Sequence, residues 1–391
     1  MGPLKGLQVL DLTRVLSGPY ATMMLADFGA DVIKIEPPKV GDDSRAFTPF
    51  VGKESAYYMS LNRNKRSMCL DFKNAKHVEV FKEMVANADM VVENYRPGTM
   101  EKFGLSYDEL KKIKPDLIYV ACSGFGRTGP YTRKPAYDVV VQAMGGIMSI
   151  TGEEGGAPTR VGASIGDVAA GIFTVIGALL ALVHRNKTGE GQLVDVSMMD
   201  CQVAILENAV ARYVTTGVIP GPLGNRHPSI TPFSSFTAKD GSVIIGAGND
   251  RLWTKLCNTM NRPDLLVDER FTSNGLRTKN VKALYAIMNE ETKKKTVKEW
   301  VKELEAAGVP VAPINNVKDL LEDPQLKERE MFVEVEHPVA GKLIMPGVPI
   351  KLSKTPGEIK SAAPLLNHDL YPILKEYMGW DEATAKAKLG E

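Results

Sequence analysis

Cysteine and histidine are scarce in this sequence, four and five among 391 residues. Cys69, Cys122, Cys201 and Cys257 lie far apart, with no C-x-x-C and no histidine pair near them. That pattern argues against a disulfide framework and against a metal site, and it suits a reducing compartment. Charge of one sign is lacking too. The 48 Lys and Arg against 47 Asp and Glu leave +1 with no basic block, so nucleic acid is not an expected partner. Neither G-x-S-x-G nor G-x-x-x-x-G-K-[ST] occurs, which removes the serine-hydrolase elbow and the nucleoside triphosphate loop. Internal repeats and low-complexity tracts are absent. The longest apolar run, Val168 to Val183, is closed by His184 and Arg185 and falls short of the roughly 20 residues that cross a bilayer. Its many Ala and Gly residues suit a helix packed on all sides inside the protein, so no membrane is expected. The opening stretch MGPLKGLQVLDLTRV is a strand pattern with no leader in front of it, and a cytoplasmic location is expected.

What is present is the composition of a soluble globular protein, 44% hydrophobic and 24% charged, in a chain long enough for two domains. The first half alternates short β patterns with helical ones. LQVLDL, ADVIKIE, RSMCLDF, MVVEN and LIYVAC read as strands; helices are expected at Gly18 to Phe28, Ala75 to Ala88 and Ser106 to Ile113. This alternation implies an α/β fold with a parallel sheet covered by helices. Two long helices are expected next, over 168–185 and about 197–216. The Gly- and Pro-rich stretch after them reads as a linker. FSSFTAKDGSVIIGAG predicts a hairpin turning at Lys239-Asp240-Gly241, followed by helices such as Val297 to Ala307. EVEHPVAGKLIMPGVPIKLS reads as a β-meander before a final helix.

Two features invite a chemical reading. SGFGRTGPYTRKPAYD, from Ser123 to Asp138, carries Gly124, Gly126 and Gly129 in G-x-G-x-x-G spacing after an apolar run. A dinucleotide fingerprint needs a helix to open straight after the glycines, and Pro130 and Pro135 forbid it. The second is Asp167, in RVGASIGDVAAGIF, at the start of the long apolar helix. There the backbone N–H groups and the positive dipole end are expected to keep a carboxylate ionised. From the residues alone Asp167 is either a helix cap or a reactive acid.

In order along the chain, LKGLQVLDLTRVLSGPYATMMLADFGADVIKIE, ENYRPGTMEKFGL, GFGRTGPY, KPAYDVVVQAMGG, GDVAAG and HRNKTGEGQLVDVSMMD resemble the class III coenzyme A transferases. This is the superfamily of formyl-CoA transferase and carnitine-CoA transferase. The resemblance continues through GVPVAPINN and EVEHPVAGKLIMPG. RVLSGP, YYMSLNRNKRS and GAGND are most similar to the branch acting on succinyl-CoA and dicarboxylic acids.

The resemblance implies a large Rossmann-like CoA-binding domain in two parts, 1–210 and 326–391. A linker at 211–224 and a small α+β domain at 225–325 complete a ring-like chain that interlocks into a homodimer. It implies no permanently bound cofactor, with acyl-CoA and a carboxylic acid as substrates. Asp167 would be the nucleophile that forms an anhydride and then an aspartyl-CoA thioester; a carboxylate suits this because both acyl derivatives stay reactive. Leu70, Asp71, Phe72 and Lys73 match a segment lining the nucleotide, and Asn94, Tyr95, Arg96 and Lys102 match residues around the phosphates. Ala136, Tyr137 and Asp138 match the segment beside the thioester. Gly246 and Gly248 are either a loop closing over the anhydride or a tight turn after a strand. The sequence departs from the formyl-CoA transferase pattern at Leu16, Pro37 and Pro135, where Gln, Arg and Lys are found, and so departs from the oxalate pattern. A dicarboxylate acceptor needs a cation for its far carboxylate, and Arg45 or Arg63 is expected to supply it. Two alternatives share the fold: an acyl-CoA racemase, whose base is a His where this chain has Tyr137, and a non-catalytic CoA-binding protein. A phenol of pKa ~10 is a poor α-proton base, which favours transfer over racemisation.

Overall fold

The computed structural model describes residues 2–390. Its main sheet has six parallel strands, numbered here within that sheet: β1 (Gln8–Asp11), β2 (Asp31–Glu36), β3 (Lys65–Cys69), β4 (Met90–Glu93), β5 (Ile118–Ser123) and β6 (Leu193–Ser197). Their order is 3-2-1-4-5-6, the doubly wound arrangement whose order reverses between β1 and β4. Alternate strand residues face opposite ways, so β1, β2, β4 and β5 each feed two cores. Leu10, Ile33, Val91 and Ala121 belong to one, Val9, Val32, Val92 and Val120 to the other.

Helices cover both faces, as a parallel sheet requires. Those that matter here are α1 (Ser17–Asp27), α2 (Ala75–Val85), α3 (Tyr107–Ile113), α4 (Asp138–Met144), α5 (Ile165–Thr188) and α6 (Met198–Ala204). α2 and α3 begin where side chains of Asn74 and Ser106 accept the free N–H groups of Lys76 and Glu109. They join the first core, together with helices Leu370–Met378 and Glu382–Leu389 near the end of the chain. Leu25 and Ala26 of α1 and Ala178 and Ala181 of α5 join the second.

Two expectations about helices need correction. The helix expected at 197–216 is two, α6 and Ala209–Thr216, interrupted where Glu207 takes a left-handed φ of 57°. α5 is not packed on all sides: its small residues Ala169, Ala170, Gly171, Ala178 and Ala181 face inward, while Ile172, Ile176, Leu180 and Val183 are exposed. By length and hydropathy alone this helix is capable of crossing a membrane.

The chain forms two compact units. One comprises Met1–Met148, Arg160–Gly217 and Pro324–Glu391; the other comprises Ser149–Thr159 and Val218–Asp323. In the second unit, strands Phe233–Thr237 and Ser242–Gly246 pair as the expected hairpin, and Val311–Pro313 joins them antiparallel. Trp253, Leu256, Phe271, Trp300 and Leu304 fill its core. In the first unit the expected meander is a two-stranded hairpin, Phe332–His337 with Gly341–Pro346.

The first unit buries an unusual amount of charge. Asp11, Lys34 and Lys65 are wholly enclosed, with Lys65 Nζ 3.0 Å from Asp11 and Lys34 Nζ 2.9 Å from Asp42. Arg63, 3% exposed, lies 2.7 Å from Asp27 and also donates to the Pro346 carbonyl, which ties the C-terminal hairpin to the end of α1. Removing one partner of such a pair leaves the other charge buried alone, at a cost of about 3–5 kcal/mol. Asp27→Ala is therefore expected to lower the urea midpoint of the first unit's transition strongly. A midpoint within error of the parent's would mean that Arg63 finds another partner.

Candidate active site

A cavity of about 610 Å³ opens at the carboxyl ends of the strands, where the switch in strand order places ligands in doubly wound sheets. The exits of all six strands contribute to its wall. Arg14 to Ser17 follow β1, Pro37 follows β2, Leu70 to Lys73 follow β3 and Asn94 to Pro97 follow β4. Ser123 and Gly124 come at the end of β5 and Met198 just after β6. Lys134, Ala136, Tyr137 and Asp167 complete the side where chemistry is expected.

The loop after β1 is held from three sides. Lys34 Nζ donates to the Thr13 carbonyl at 2.8 Å, and Asp42 accepts the Val15 N–H at 3.1 Å. The Asn94 amide accepts from Arg14 N–H at 2.7 Å and donates to the Arg14 carbonyl at 2.8 Å, so β4 clamps the loop of β1 across the switch point. Under this grip Val15 adopts φ 66°, a conformation that β-branched residues rarely take.

Asp167 lies in the first turn of α5 but does not cap it. Ser164 is the N-cap residue, its side chain accepting from Arg160 and making no capping bond, and Asp138 at the start of α4 accepts the Gly166 N–H at 2.8 Å in its place. Asp138 is itself buried, bonded to Gln142 at 2.8 Å and 3.4 Å from Arg160. Ser17, at the start of α1, lines the same cavity and acts to lower the Asp167 pKa. Even so, the Asp167 pKa is raised to about 7, first by burial and then by the nearby Asp138 charge, and these outweigh Ser17. The expectation that the helix terminus alone keeps it ionised is thus corrected.

The glycine-rich stretch is a loop and not a nucleotide fingerprint. After β5 no helix opens until Asp138, and Gly126 and Gly129 take left-handed φ of 76° and 86°. At Gly124 a Cβ would stand 2.2 Å from that of Ala136. Its absence lets the chain double back and bring Ala136 and Tyr137 to the cavity. Tyr137 is 75% exposed there.

Of the residues expected to hold CoA, Leu70, Asp71, Phe72, Lys73, Asn94, Tyr95, Arg96, Ala136 and Tyr137 line the cavity, while Lys102 and Asp138 do not. Two of the lining side chains are occupied locally: Asp71 accepts the Lys73 N–H at 3.0 Å, and Asn94 clamps Arg14. The exposed charges of Lys73 and Arg96 are the ones suited to phosphates. Arg45 and Arg63 are corrected as candidates for a substrate carboxylate. Arg45 makes two 2.7 Å bonds to Glu36 and lies 3.7 Å over the Tyr58 ring, and Arg63 is buried against Asp27. Both charges are already neutralised by the fold, and neither residue lines the cavity. Gly246 and Gly248 lie in the second unit, where a Cβ on Gly248 would meet Ile230 at 1.9 Å and buried Arg277 holds the Gly248 carbonyl at 3.1 Å. That is a held turn.

Sequence reasoning missed Ser17, Arg14 and Lys134 as cavity residues. The signal for Ser17 was available in RVLSGP, where a serine directly precedes Gly-Pro at a helix start.

The family model described as CoA-transferase family III matches residues 4–370. The chain is 39% identical to human succinyl-CoA:glutarate CoA-transferase over 97% of its own length and 87% of that protein. It is 43% identical to acetyl-CoA:oxalate CoA-transferase of Acetobacter aceti, over 96% of both chains. Among solved structures, a CAIB/BAIF family protein from Brucella suis superposes with a TM-score of 0.86 at 38% identity, covering 96% of this chain and 99% of that one. The cavity, the acid and this extent of likeness agree: the chain belongs to CoA-transferase family III and is an enzyme of coenzyme A transfer.

Proposed function

We propose that the enzyme carries CoA from succinyl-CoA to a dicarboxylic acid through covalent intermediates on Asp167. The observation that carries this reading is the Asp167 carboxylate, set in the wall of the strand-end cavity, which Ser17 of α1 also lines. An Asp167 oxygen attacks the thioester carbonyl, the C–S bond breaks, and CoA leaves as thiolate from a mixed anhydride. The thiolate attacks the aspartyl carbonyl, releasing succinate and leaving an Asp167–CoA thioester. The acceptor carboxylate attacks that carbonyl and expels the thiolate, giving a second anhydride. Attack of the thiolate on the acceptor's acyl carbon forms the new thioester and restores Asp167. Every bond broken is replaced by one of similar energy, so no ATP is required.

Lys73 and Arg96 meet the CoA phosphates in this reading, and Ala136 and Tyr137 border the thioester. The relatives' names support a dicarboxylate acceptor, since both glutarate and oxalate are dicarboxylic acids. Lys134, which lines the cavity, replaces Arg45 and Arg63 as the cation available to a remote carboxylate; Arg14 also lines it but is paired with Asp43 at 2.5 Å.

The exposed stripe of α5 supports a homodimer. Ile172, Ile176, Leu180 and Val183 are 43 to 66% exposed and recur at helical spacing, with Val210, Tyr213 and Val214 exposed on helix Ala209–Thr216. An apolar surface of that kind is covered in a stable protein, and a second copy of the same chain is the cover proposed here.

Three outcomes are expected. Asp167→Ala abolishes CoA transfer while retaining CoA binding, checked by exchange of labelled succinate into succinyl-CoA; transfer near the parental rate would end the covalent reading. Because only ionised Asp167 attacks, kcat/KM rises with pH through an inflection near 7, and a profile flat from pH 5 to 8 would contradict it. Leu180→Asp converts the dimer to smaller or aggregated species in sedimentation; an unchanged sedimentation coefficient would place the interface elsewhere.

A further inference from the structure

The loop after β5 brings Ala136 and Tyr137 to the cavity, and it is pinned to both strands that flank β5 in the sheet. On the β6 side the hold is on the backbone. Asp195 accepts the Arg127 N–H at 2.9 Å, and the Met199 N–H donates to the Gly124 carbonyl at 3.1 Å. A Cβ on Gly126 would stand 3.4 Å from that of Ser197. On the β4 side the hold is a side chain. The Arg127 guanidinium lies between two acids: Nη2 donates to Glu101, in the short helix Thr99–Lys102, and Nη1 is 3.5 Å from Glu93 at the end of β4.

Glu93 is 2% exposed and has no part in the proposed reaction. Its Oε2 accepts the Tyr95 N–H at 2.7 Å, and the Tyr119 hydroxyl is 3.4 Å from its Oε1. Arg127 is the cation that meets both this buried acid and Glu101. The two acids flank Asn94, Tyr95 and Arg96, which line the cavity; Arg127 precedes Lys134, Ala136 and Tyr137, which line it too, but does not line it itself. One guanidinium thus ties together two stretches of the wall.

We propose that Arg127 is a positioning residue for acyl-CoA, a latch that holds the loop after β5 against the segment after β4 before the ligand arrives. A loop that is ordered in advance binds more tightly than one that must be ordered on binding. The planar fork of an arginine suits this role, because it meets two carboxylates at once, whereas a lysine ammonium is a single point charge. Without the cation, the two carboxylates repel, and the wall opens between β4 and β5.

The inference rests on acyl-CoA occupying the strand-end cavity, and its test separates the two. Arg127→Met is expected to raise KM for succinyl-CoA by about tenfold, the value of roughly one charge-assisted contact. Turnover and KM for glutarate as acceptor are expected to stay within about twofold of the parent. A merely structural role would instead reduce the active fraction, lowering kcat with KM unmoved. Burial holds the Glu93 pKa at about 7 even beside Arg127, so in the variant this acid takes up a proton and does not remain a bare buried charge. Arg127→Lys, which cannot span both acids, is expected to give a KM between the two. Should Arg127→Met not fold, Glu101→Gln, which removes only the more exposed arm, is expected to raise the same KM by about threefold. Lys73→Ala serves as the control for the cavity, since it raises KM for succinyl-CoA if the CoA phosphates lie there. With that rise seen, an unmoved KM in Arg127→Met, or in Glu101→Gln in its place, overturns the latch alone. An unmoved KM in Lys73→Ala overturns the assigned CoA wall and the latch together.

Discussion

The clamp on the loop after β1 is the constraint on which the site depends. A loop at the end of a central strand has to present backbone to a ligand, and this one does so with Val15 in a left-handed conformation that costs energy. It persists because Lys34, Asp42 and Asn94 hold it from three directions, two of them as a buried ion pair. A buried pair is a poor source of stability in itself, since desolvation offsets most of its attraction. Its contribution here is placement, because the loop that it fixes brings the first residue of α1 to the cavity that Asp167 also lines.

Asp167 shows how opposed effects are balanced at a buried carboxyl. Burial and Asp138 push its proton affinity up, to a pKa of about 7, and Ser17 pulls it down. In the proposed reaction a carboxylate near neutrality leaves its anhydride more readily than a strongly basic group would, and is a better nucleophile than a fully stabilised carboxylate. Asp138 has a second use in the same place: by accepting the Gly166 N–H it ties α4 to the first turn of α5. The group that raises the affinity of Asp167 for its proton therefore also fixes the helix that carries it.

Much of the fold was legible in the sequence because its signals are local. Five of the six strands of the main sheet were expected from short β patterns, while β6, with Asp195 in its middle, was not; α5 ends where Gly189 takes φ 77°, as a C-terminal glycine should. The site was legible chiefly through resemblance. Spacing alone left Asp167 as a cap or an acid, and the cap proved to be a residue 29 positions earlier, Asp138. The fates of Arg45 and Arg63 were hidden for the same reason: Glu36, Asp27 and the Pro346 carbonyl meet them only after the sheet and the C-terminal hairpin have formed. The exposed stripe of α5 was misread because composition does not say which faces of an apolar helix its own chain covers.

The helices Leu370–Met378 and Glu382–Leu389 complete the core beneath β1 to β5. On the ribosome the sheet strands emerge first with α2 and α3, yet the core on that face stays incomplete until those two later helices have been synthesised. The first unit is thus completed only after the second has been made. The hairpin-based unit, mostly one continuous stretch from Val218 to Asp323, has no such wait. Loss of the helix Glu382–Leu389 strips Ala385 and Leu389 from the first core, so a truncation there is a lesion of the first unit, although it lies more than two hundred residues from Asp167.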